Sequence, residues 1–234
     1  MAEERLKPVN HPDSTRWTII RGAAEGNVLD RAEFARRYAA VIRSYLGARW
    51  RGGPLFAEID DASQEVFVEC FRADGPLSRA DPEAAGGFHA YLYGVVRNVA
   101  RGVEKRHRGN RELAGGSKFD FDRVEGNDAP LSAVFDRAWG ASLLRLAAER
   151  QARHAKGDDG AMRRVELLRL RFGQDLPIRE ISKRWEAEPA RVHKEYRKAR
   201  QEFLAALREI VGEHQGGTPA ETEAECVRLL DHLP

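Results

Sequence analysis

Apolar residues recur along most of this chain at intervals of three and four, the spacing of a helix with one buried face, and no stretch alternates as a strand does. In the first half, the spacing predicts helices from Trp17 to about Trp50, from about Glu58 to Arg72, and from Phe88 to about Arg108. In the second half, it predicts helices at 131–155, 162–172, 177–185 and 189–211, and a last amphipathic helix near the end. We therefore expect an all-α fold.

The helical pattern stops between residues 109 and 130. This stretch is rich in Gly, ends at Pro130, and carries four acids against one base between Phe119 and Asp128. Such a composition predicts a flexible acidic linker between two helical domains, at 17–108 and 131–211. Residues 1–16 are predicted to form a flexible lead-in, and residues 212–234 a C-terminal extension with one short helix.

Composition narrows the range of functions. The 234 residues carry a net charge of only +2, which excludes a uniformly basic coat for nucleic acid, so any DNA binding must come from local basic faces. We expect a cytoplasmic protein that does not enter the membrane, because no apolar run approaches the roughly 20 residues of a membrane span and residues 1–11 lack the apolar core of a signal peptide. Cys70 and Cys226 have no neighbour at metal-ligand spacing, so no metal or other cofactor is predicted.

Two helices near the C-terminus have the spacing of a helix-turn-helix. Pro177 opens a short helix, residues 186–188 form a polar connector, and Pro189 opens a longer helix with Val192, Tyr196 and Phe203 on its apolar side. The other side of the longer helix is basic, with only Glu195 and Glu202 as acids: Arg191, His193, Lys194, Arg197, Lys198 and Arg200. This pattern is typical of a helix that contacts DNA, and the alternative is an amphipathic pair whose charges are merely solvated.

Three segments resemble the sigma-70 family, in particular its extracytoplasmic-function (ECF) group. D-A-S-Q-E-V-F at 61–67 is similar to the family's D-L-V-Q-E-V-F, and F-H-A-Y-L-Y-G-V-V-R-N-V-A at 88–100 to F-R-A-W-L-Y-R-I-A-R-N-L-A. V-H-K-E-Y-R-K-A-R at 192–200 is similar to V-K-S-R-L-H-R-A-R. The three occur in the family's order. Residues 135–144 and the tail 212–234 are similar to planctomycete-type variants with a C-terminal extension.

This resemblance implies a sigma factor whose partners are core RNA polymerase and promoter DNA. The sigma2-like domain at 17–108 would bind polymerase through an acidic and amide face made of Glu58, Asp60, Asp61, Gln64 and Glu65. The same domain would bind and melt the −10 element through Phe88, His89, Tyr91, Arg97, Asn98, Arg101, Lys105 and Arg106. For at least two of the aromatic residues at the start of this helix, core packing is the alternative. The sigma4-like domain at 131–211 would recognise the −35 element through the six basic residues of its second helix.

The chain departs from the family pattern at Glu195, where a base is usual, and at Gly94, where a larger residue is common. We expect Glu195 to weaken or redirect the −35 contact. We expect the tail to dock on the DNA-binding domain through Val227, Leu230 and Leu233, with Glu221, Glu223 and Glu225 meeting basic residues. Candidate regulatory partners are an anti-sigma factor and a Ser/Thr kinase, the latter acting on Ser63, which we expect to be an exposed residue of the polymerase-binding helix.

Two other classes of function make different demands on the sequence. A free-standing helix-turn-helix regulator would use the same basic helix, dimerise through its N-terminal half, and bind DNA tightly without polymerase. An enzyme is not indicated, because the chain has no Gly-rich phosphate loop, Gly-x-Ser-x-Gly turn or His-Glu-x-x-His motif.

Overall fold

The computed structural model describes residues 16–81, 87–113, 128–215 and 218–230, and within these ranges it contains helices and no strand. The expected all-α class is confirmed. The α-helices are α1 (Arg16–Ala24), α2 (Val28–Arg49), α3 (Ile59–Phe71), α4 (Gly87–Leu113), α5 (Asp128–His154), α6 (Asp159–Leu168), α7 (Ile178–Arg184), α8 (Pro189–Gln215) and α9 (Pro219–Leu230). Short 3₁₀ turns occupy Pro54–Glu58 and Pro76–Arg79, and one π-helical turn follows α6 at Arg169–Gly173.

The prediction of one helix from Trp17 to Trp50 is wrong, because the chain turns between α1 and α2. Gly26 adopts a φ of +94°, and the N–H groups of Gly26 and Asn27 bond to the carbonyls of Ala23 and Gly22 at 3.3 and 2.8 Å. This pair of bonds is the Schellman ending of a helix. The Asn27 side chain then accepts from the N–H groups of Leu29 and Asp30, which begins α2.

The chain divides into two compact units, residues 1–142 and 143–234. In the first unit, aromatic rings hold α2, α3 and α4 together around Phe34, which is fully buried. Its ring centroid lies 4.6 Å from that of Tyr38, 5.6 Å from that of Phe71 and 6.0 Å from that of Phe88. Because this core fixes the inner faces of α3 and α4, their polar faces are directed outward.

A buried ion pair also joins α2 to α4. The guanidinium of Arg49 donates to both carboxylate oxygens of Glu104, at 2.7 and 2.9 Å, and to the hydroxyl of Tyr45 at 3.2 Å. The indole N–H of Trp50 donates to Glu104 at 2.7 Å. Burial disfavours the charge of Arg49, but the hydrogen bonds that it donates to Glu104 and Tyr45, together with the nearby charge of Glu104, outweigh burial and raise the pKa of Arg49. Sequence periodicity did not predict this cluster.

The division between the units does not coincide with the predicted linker. The stretch at 109–130 is helical at both ends, since α4 continues to Leu113 and α5 begins at Asp128, and residues 114–127 lie outside the described ranges. Residues 131–142 of α5, predicted to belong to the second domain, pack in the first unit. The ring of Trp139 stacks on Tyr38 at 5.4 Å, and Ser142 donates to the carbonyl of Arg37 at 2.9 Å.

In the second unit, Leu167, Leu170, Ile181 and Val192 form a buried core from α6, the π-turn, α7 and α8. Polar contacts to the last turns of α5 fix the inner side of α8. Gln151 donates to the carbonyl of Ala199 at 3.1 Å. Arg150 donates to Glu209 and Glu213 at 2.9 and 2.8 Å.

The last helix, α9, packs on α8, as expected for the tail. Cys226 and Leu229 are buried and Leu230, predicted to pack, is partly buried, whereas Val227, also predicted to pack, is 51% exposed; Leu233 lies outside the described residues. Glu223 meets a basic residue as expected, accepting two hydrogen bonds from Arg208 at 2.6 and 2.9 Å. Glu225 pairs with Arg228 of its own helix, and Glu221 accepts from Thr218 just before α9.

Candidate nucleic-acid interface

A tight turn joins α7 to α8. The N–H groups of Glu186 and Ala187 bond to the carbonyls of Lys183 and Ser182 at 3.1 and 3.0 Å, which is again the Schellman pattern. Glu186 takes a φ of +49°, a left-handed conformation that favours glycine. Pro189 opens α8 immediately afterwards, so the two helices meet as in a helix-turn-helix.

The six residues predicted to contact the −35 element all lie on the solvent side of α8. The side chains of Arg191, His193, Lys194, Arg197, Lys198 and Arg200 are exposed. On the inner face Val192 is buried, as predicted for a core position, and Tyr196 and Phe203 are only partly buried. The periodicity of the sequence therefore predicted correctly which side of α8 is exposed and which side faces the core.

The two acids of this segment are directed toward α6 rather than outward. Arg164, a largely buried residue of α6, donates to Glu202 at 2.8 and 2.9 Å and to Glu195 at 3.4 Å. The hydrogen bond to Glu202 raises the pKa of Arg164. Glu195, the departure from the family pattern, is therefore turned toward α6, where it shares the single charge of Arg164 with Glu202 instead of lying among the exposed cations.

Two cations that the sequence analysis did not single out lie beside the same turn. Arg179 and Lys183 project from α7 and are exposed, next to a shallow hollow that Ser182, Ala187 and Pro189 also line. Lys183 has an ion-pair partner, Glu180, at 3.0 Å. In a helix-turn-helix the first helix crosses the DNA backbone, so cations at this position are placed to meet phosphates.

In the first unit, the predicted polymerase-binding face lies along α3. Glu58, Asp60, Asp61 and Gln64 are exposed and Glu65 is partly exposed. Asp60 forms an ion pair with Arg43 of α2, and Glu65 accepts from Arg106 of α4 at 2.6 Å. We call the five residues the acidic face of α3.

Two exposed apolar side chains adjoin the acidic face, and the sequence analysis missed them. Val68 is 69% exposed and Phe56, in the turn before α3, is 54% exposed. Val68 follows Asp61 by seven positions and Gln64 by four, so helical spacing alone would have placed it on the acidic face. Exposed apolar side chains within a charged surface are typical of the centre of a protein–protein contact.

Ser63 is not a surface residue, contrary to the premise of the kinase hypothesis. It is 5% exposed, and its hydroxyl donates to the carbonyl of Ile59 at 2.7 Å. A kinase could reach it only after α3 had locally unfolded.

The aromatic residues at the start of α4 mainly support the fold. Phe88 is 1% exposed and belongs to the core around Phe34, so its predicted role in contacting DNA is wrong. The hydroxyl of Tyr91 donates to the carbonyl of Pro76 at 2.6 Å, and burial raises its pKa. His89 is partly exposed, lies 3.1 Å from Asp136, and meets the ring of Trp139 edge-on at 4.8 Å.

Further along α4, a basic stripe lies on one outer face. Arg97, Arg101 and Lys105 follow one another at intervals of four, with Asn98 beside them, and all four are partly or fully exposed. Arg106 belongs to a different side of α4, because it turns toward α3 and pairs with Glu65. The eight predicted −10 residues are therefore divided between a core, a partly covered aromatic edge, a basic stripe and an ion pair.

Several groups that could have indicated other chemistry do not form a site. Within the ranges that the structure describes, no three His, Cys, Asp or Glu residues are arranged to hold a metal ion. Both cysteines are free and buried, and burial raises the pKa of Cys70 to about 12. None of the described helices combines the length and the apolar character needed to cross a membrane.

Comparison with protein-family models, with curated proteins and with solved structures returned no match.

Proposed function

We propose that this protein is a sigma factor that binds core RNA polymerase and directs promoter-specific initiation of transcription. The first unit would serve as the sigma2-like part, which binds polymerase and opens the −10 element. The second unit would serve as the sigma4-like part, which recognises the −35 element. The alternative from the sequence, a free-standing DNA-binding regulator, uses the same helix-turn-helix and differs in needing no polymerase.

The observation that carries this proposal is the outer face of α8. Six exposed basic side chains lie on this side of the helix, and the two acids within the segment are turned toward α6, where both pair with Arg164. A helix of this charge following a tight turn suits the DNA major groove, where cations neutralise phosphates and donate to base edges.

The first unit supports the sigma factor over the free-standing regulator. It carries an acidic face on α3 with exposed Phe56 and Val68 beside it, and a basic stripe on α4. A regulator that used this unit only to dimerise would not need two surfaces of opposite charge. A factor that joins a basic protein surface to DNA needs both.

The test uses the full chain with purified core RNA polymerase. We expect tight binding to polymerase, and new transcripts from a panel of promoter fragments. Reversing the charge of the acidic face with Asp61→Arg should weaken polymerase binding at least about tenfold, because like charges would then meet across the contact.

The matched control reverses an exposed acid of the second unit, Asp159→Arg, which should leave polymerase binding unchanged. Failure to bind polymerase, together with tight binding of duplex DNA by the chain alone, would refute the sigma factor and establish the free-standing regulator.

A further inference from the structure

The six basic residues on α8 are not equivalent in direction. At about 100° per residue, Ala190, Lys194 and Arg197 lie within about 40° of the direction opposite the buried edge of the helix. That edge is formed by Val192 and Ala199, which are both buried. The other four basic residues lie about 70–100° from the same direction, on two flanks: Arg191 and Lys198 on one, His193 and Arg200 on the other.

The surroundings of the flanking side chains agree with this division, and one of them, Arg200, makes a contact that fixes its direction. Arg191 and Lys198 share their flank with Glu195 and Glu202, the acids that pair with Arg164. On the opposite flank, the guanidinium of Arg200 lies 5.9 Å from the ring centroid of Tyr196, which is partly buried. This cation–π contact holds Arg200 back against the side of the helix.

The central line is set apart by its direction, because Arg191, His193 and Lys198 on the flanks also have no hydrogen-bond or ion-pair partner among the described residues. Lys194 and Arg197 are exposed, and among the described residues neither side chain has an ion-pair or hydrogen-bond partner. Their N–H donors are therefore available for a ligand. Ala190, the second residue of α8, is exposed and presents only a methyl group, which leaves room for close approach of the first turn.

We propose that Ala190, Lys194 and Arg197 recognise bases, and that Arg191, Lys198 and Arg200 hold phosphates without reading sequence. The inference rests on the proposed function and specifies how its upstream DNA element is read. Lys194 and Arg197 donate to O6 and N7 of guanine in the major groove, while the methyl of Ala190 suits the 5-methyl group of thymine. The recognised element therefore contains guanine opposite the second and third turns of α8, with thymine beside its first turn.

The experiment compares two arginines that lie three residues apart on the same helix. The full chain, in complex with core polymerase, selects bound sequences from duplexes whose upstream element is randomised. Arg197→Gln should reduce the preference for guanine at one base pair about tenfold and shift it toward adenine, which glutamine recognises. Lys194→Gln should do the same at a neighbouring base pair.

Arg200→Gln is the matched control. It should leave the selected sequence unchanged, weaken binding of every duplex alike, and reduce the slope of log affinity against log salt by about 0.9. All three positions are exposed, and equal thermal melting of the variants excludes misfolding as a cause.

The outcomes separate this inference from the proposed function. If the wild-type complex selects a sequence that Arg197→Gln and Lys194→Gln do not alter, or that Arg200→Gln alters equally, the division of α8 is wrong while the sigma factor stands. If the wild-type chain binds polymerase but selects no upstream sequence, base reading by α8 is refuted. If it does not bind polymerase at all, the proposed function fails as well.

Discussion

The buried pair between Arg49 and Glu104 gives the sharpest test of how the first unit is held together. The two side chains are 0% and 4% exposed, and Trp50 adds a third hydrogen bond to the same carboxylate. Glu104→Gln keeps the size of the side chain but leaves the charge of Arg49 buried without a counterion. Breaking such a pair from one side costs about 3–5 kcal/mol, a large part of the 5–15 kcal/mol that stabilises a typical domain.

Urea denaturation followed by hydrogen exchange and mass spectrometry measures this loss by region. Peptides from α2 and α4 should lose protection at a urea concentration lower by about 1–5 M, since stability usually falls by about 1–3 kcal/mol per molar urea. Peptides from α7 and α8 provide a reference within the same molecule.

Two variants complete this test. Glu69→Gln removes an exposed pair with Arg72 and should cost less than about 1 kcal/mol. The double variant Arg49→Met, Glu104→Leu removes both charges and leaves chiefly the N–H of Trp50 without its acceptor, which costs about 1–3 kcal/mol. If Glu104→Gln is no more destabilising than Glu69→Gln, the buried pair does not hold α2 to α4 as we infer.

Three further predictions concern stability. Burial opposes the charge of Glu33, but hydrogen bonds from Arg36 and Arg37 outweigh burial and lower its pKa to about 2. The ionised carboxylate should therefore contribute its full stabilisation above pH 5, and this contribution should be lost as the pH falls from about 4.5 to 2. The urea midpoint, measured against pH, should fall less steeply in Glu33→Gln than in the wild type, and an equal slope would contradict this prediction. Glu186→Gly should stabilise the second unit by about 0.5–1 kcal/mol in thermal unfolding, because glycine adopts the positive φ without strain, whereas a decrease would show that the side chain itself is needed. Gly94→Ala should stabilise the first unit by up to about 1 kcal/mol, since the added methyl group meets nothing within 4 Å, and a lower melting temperature would show that this face of α4 is not open.

How much the sequence predicted differs between helices. On α8, where one face is almost wholly charged, periodicity alone identified the exposed basic residues and the buried Val192. On α4 the family resemblance implied that Phe88 contacts DNA, but a resemblance in sequence does not say which aromatic side chains a neighbouring helix will cover, and Phe88 is buried. The turn at Gly26 could have been predicted, since a glycine followed by asparagine combines a helix ending with the cap of the next helix.

What the sequence could not predict depends on partners that are distant along the chain. From the sequence, Glu195 is expected to weaken the basic face. In the structure it accepts a hydrogen bond from Arg164, which lies 31 positions earlier in the chain. The packing of Trp139 on Tyr38 likewise joins residues about one hundred positions apart. Composition identified the stretch at 109–130 as poor in apolar residues, but it did not indicate that the first turns of α5, which follow, would pack in the first unit.

The ion pair between Glu65 and Arg106 has a thermodynamic consequence for the proposed function. One residue belongs to the acidic face of α3 and the other to the helix that carries the basic stripe, and both are partly exposed to solvent. A basic protein surface that attracts Glu65 releases Arg106 toward DNA phosphates, and DNA that attracts Arg106 releases Glu65. Because such linkage is reciprocal, each partner must strengthen the binding of the other by the same factor, which for an exposed pair worth at most about 1 kcal/mol is no more than about fivefold.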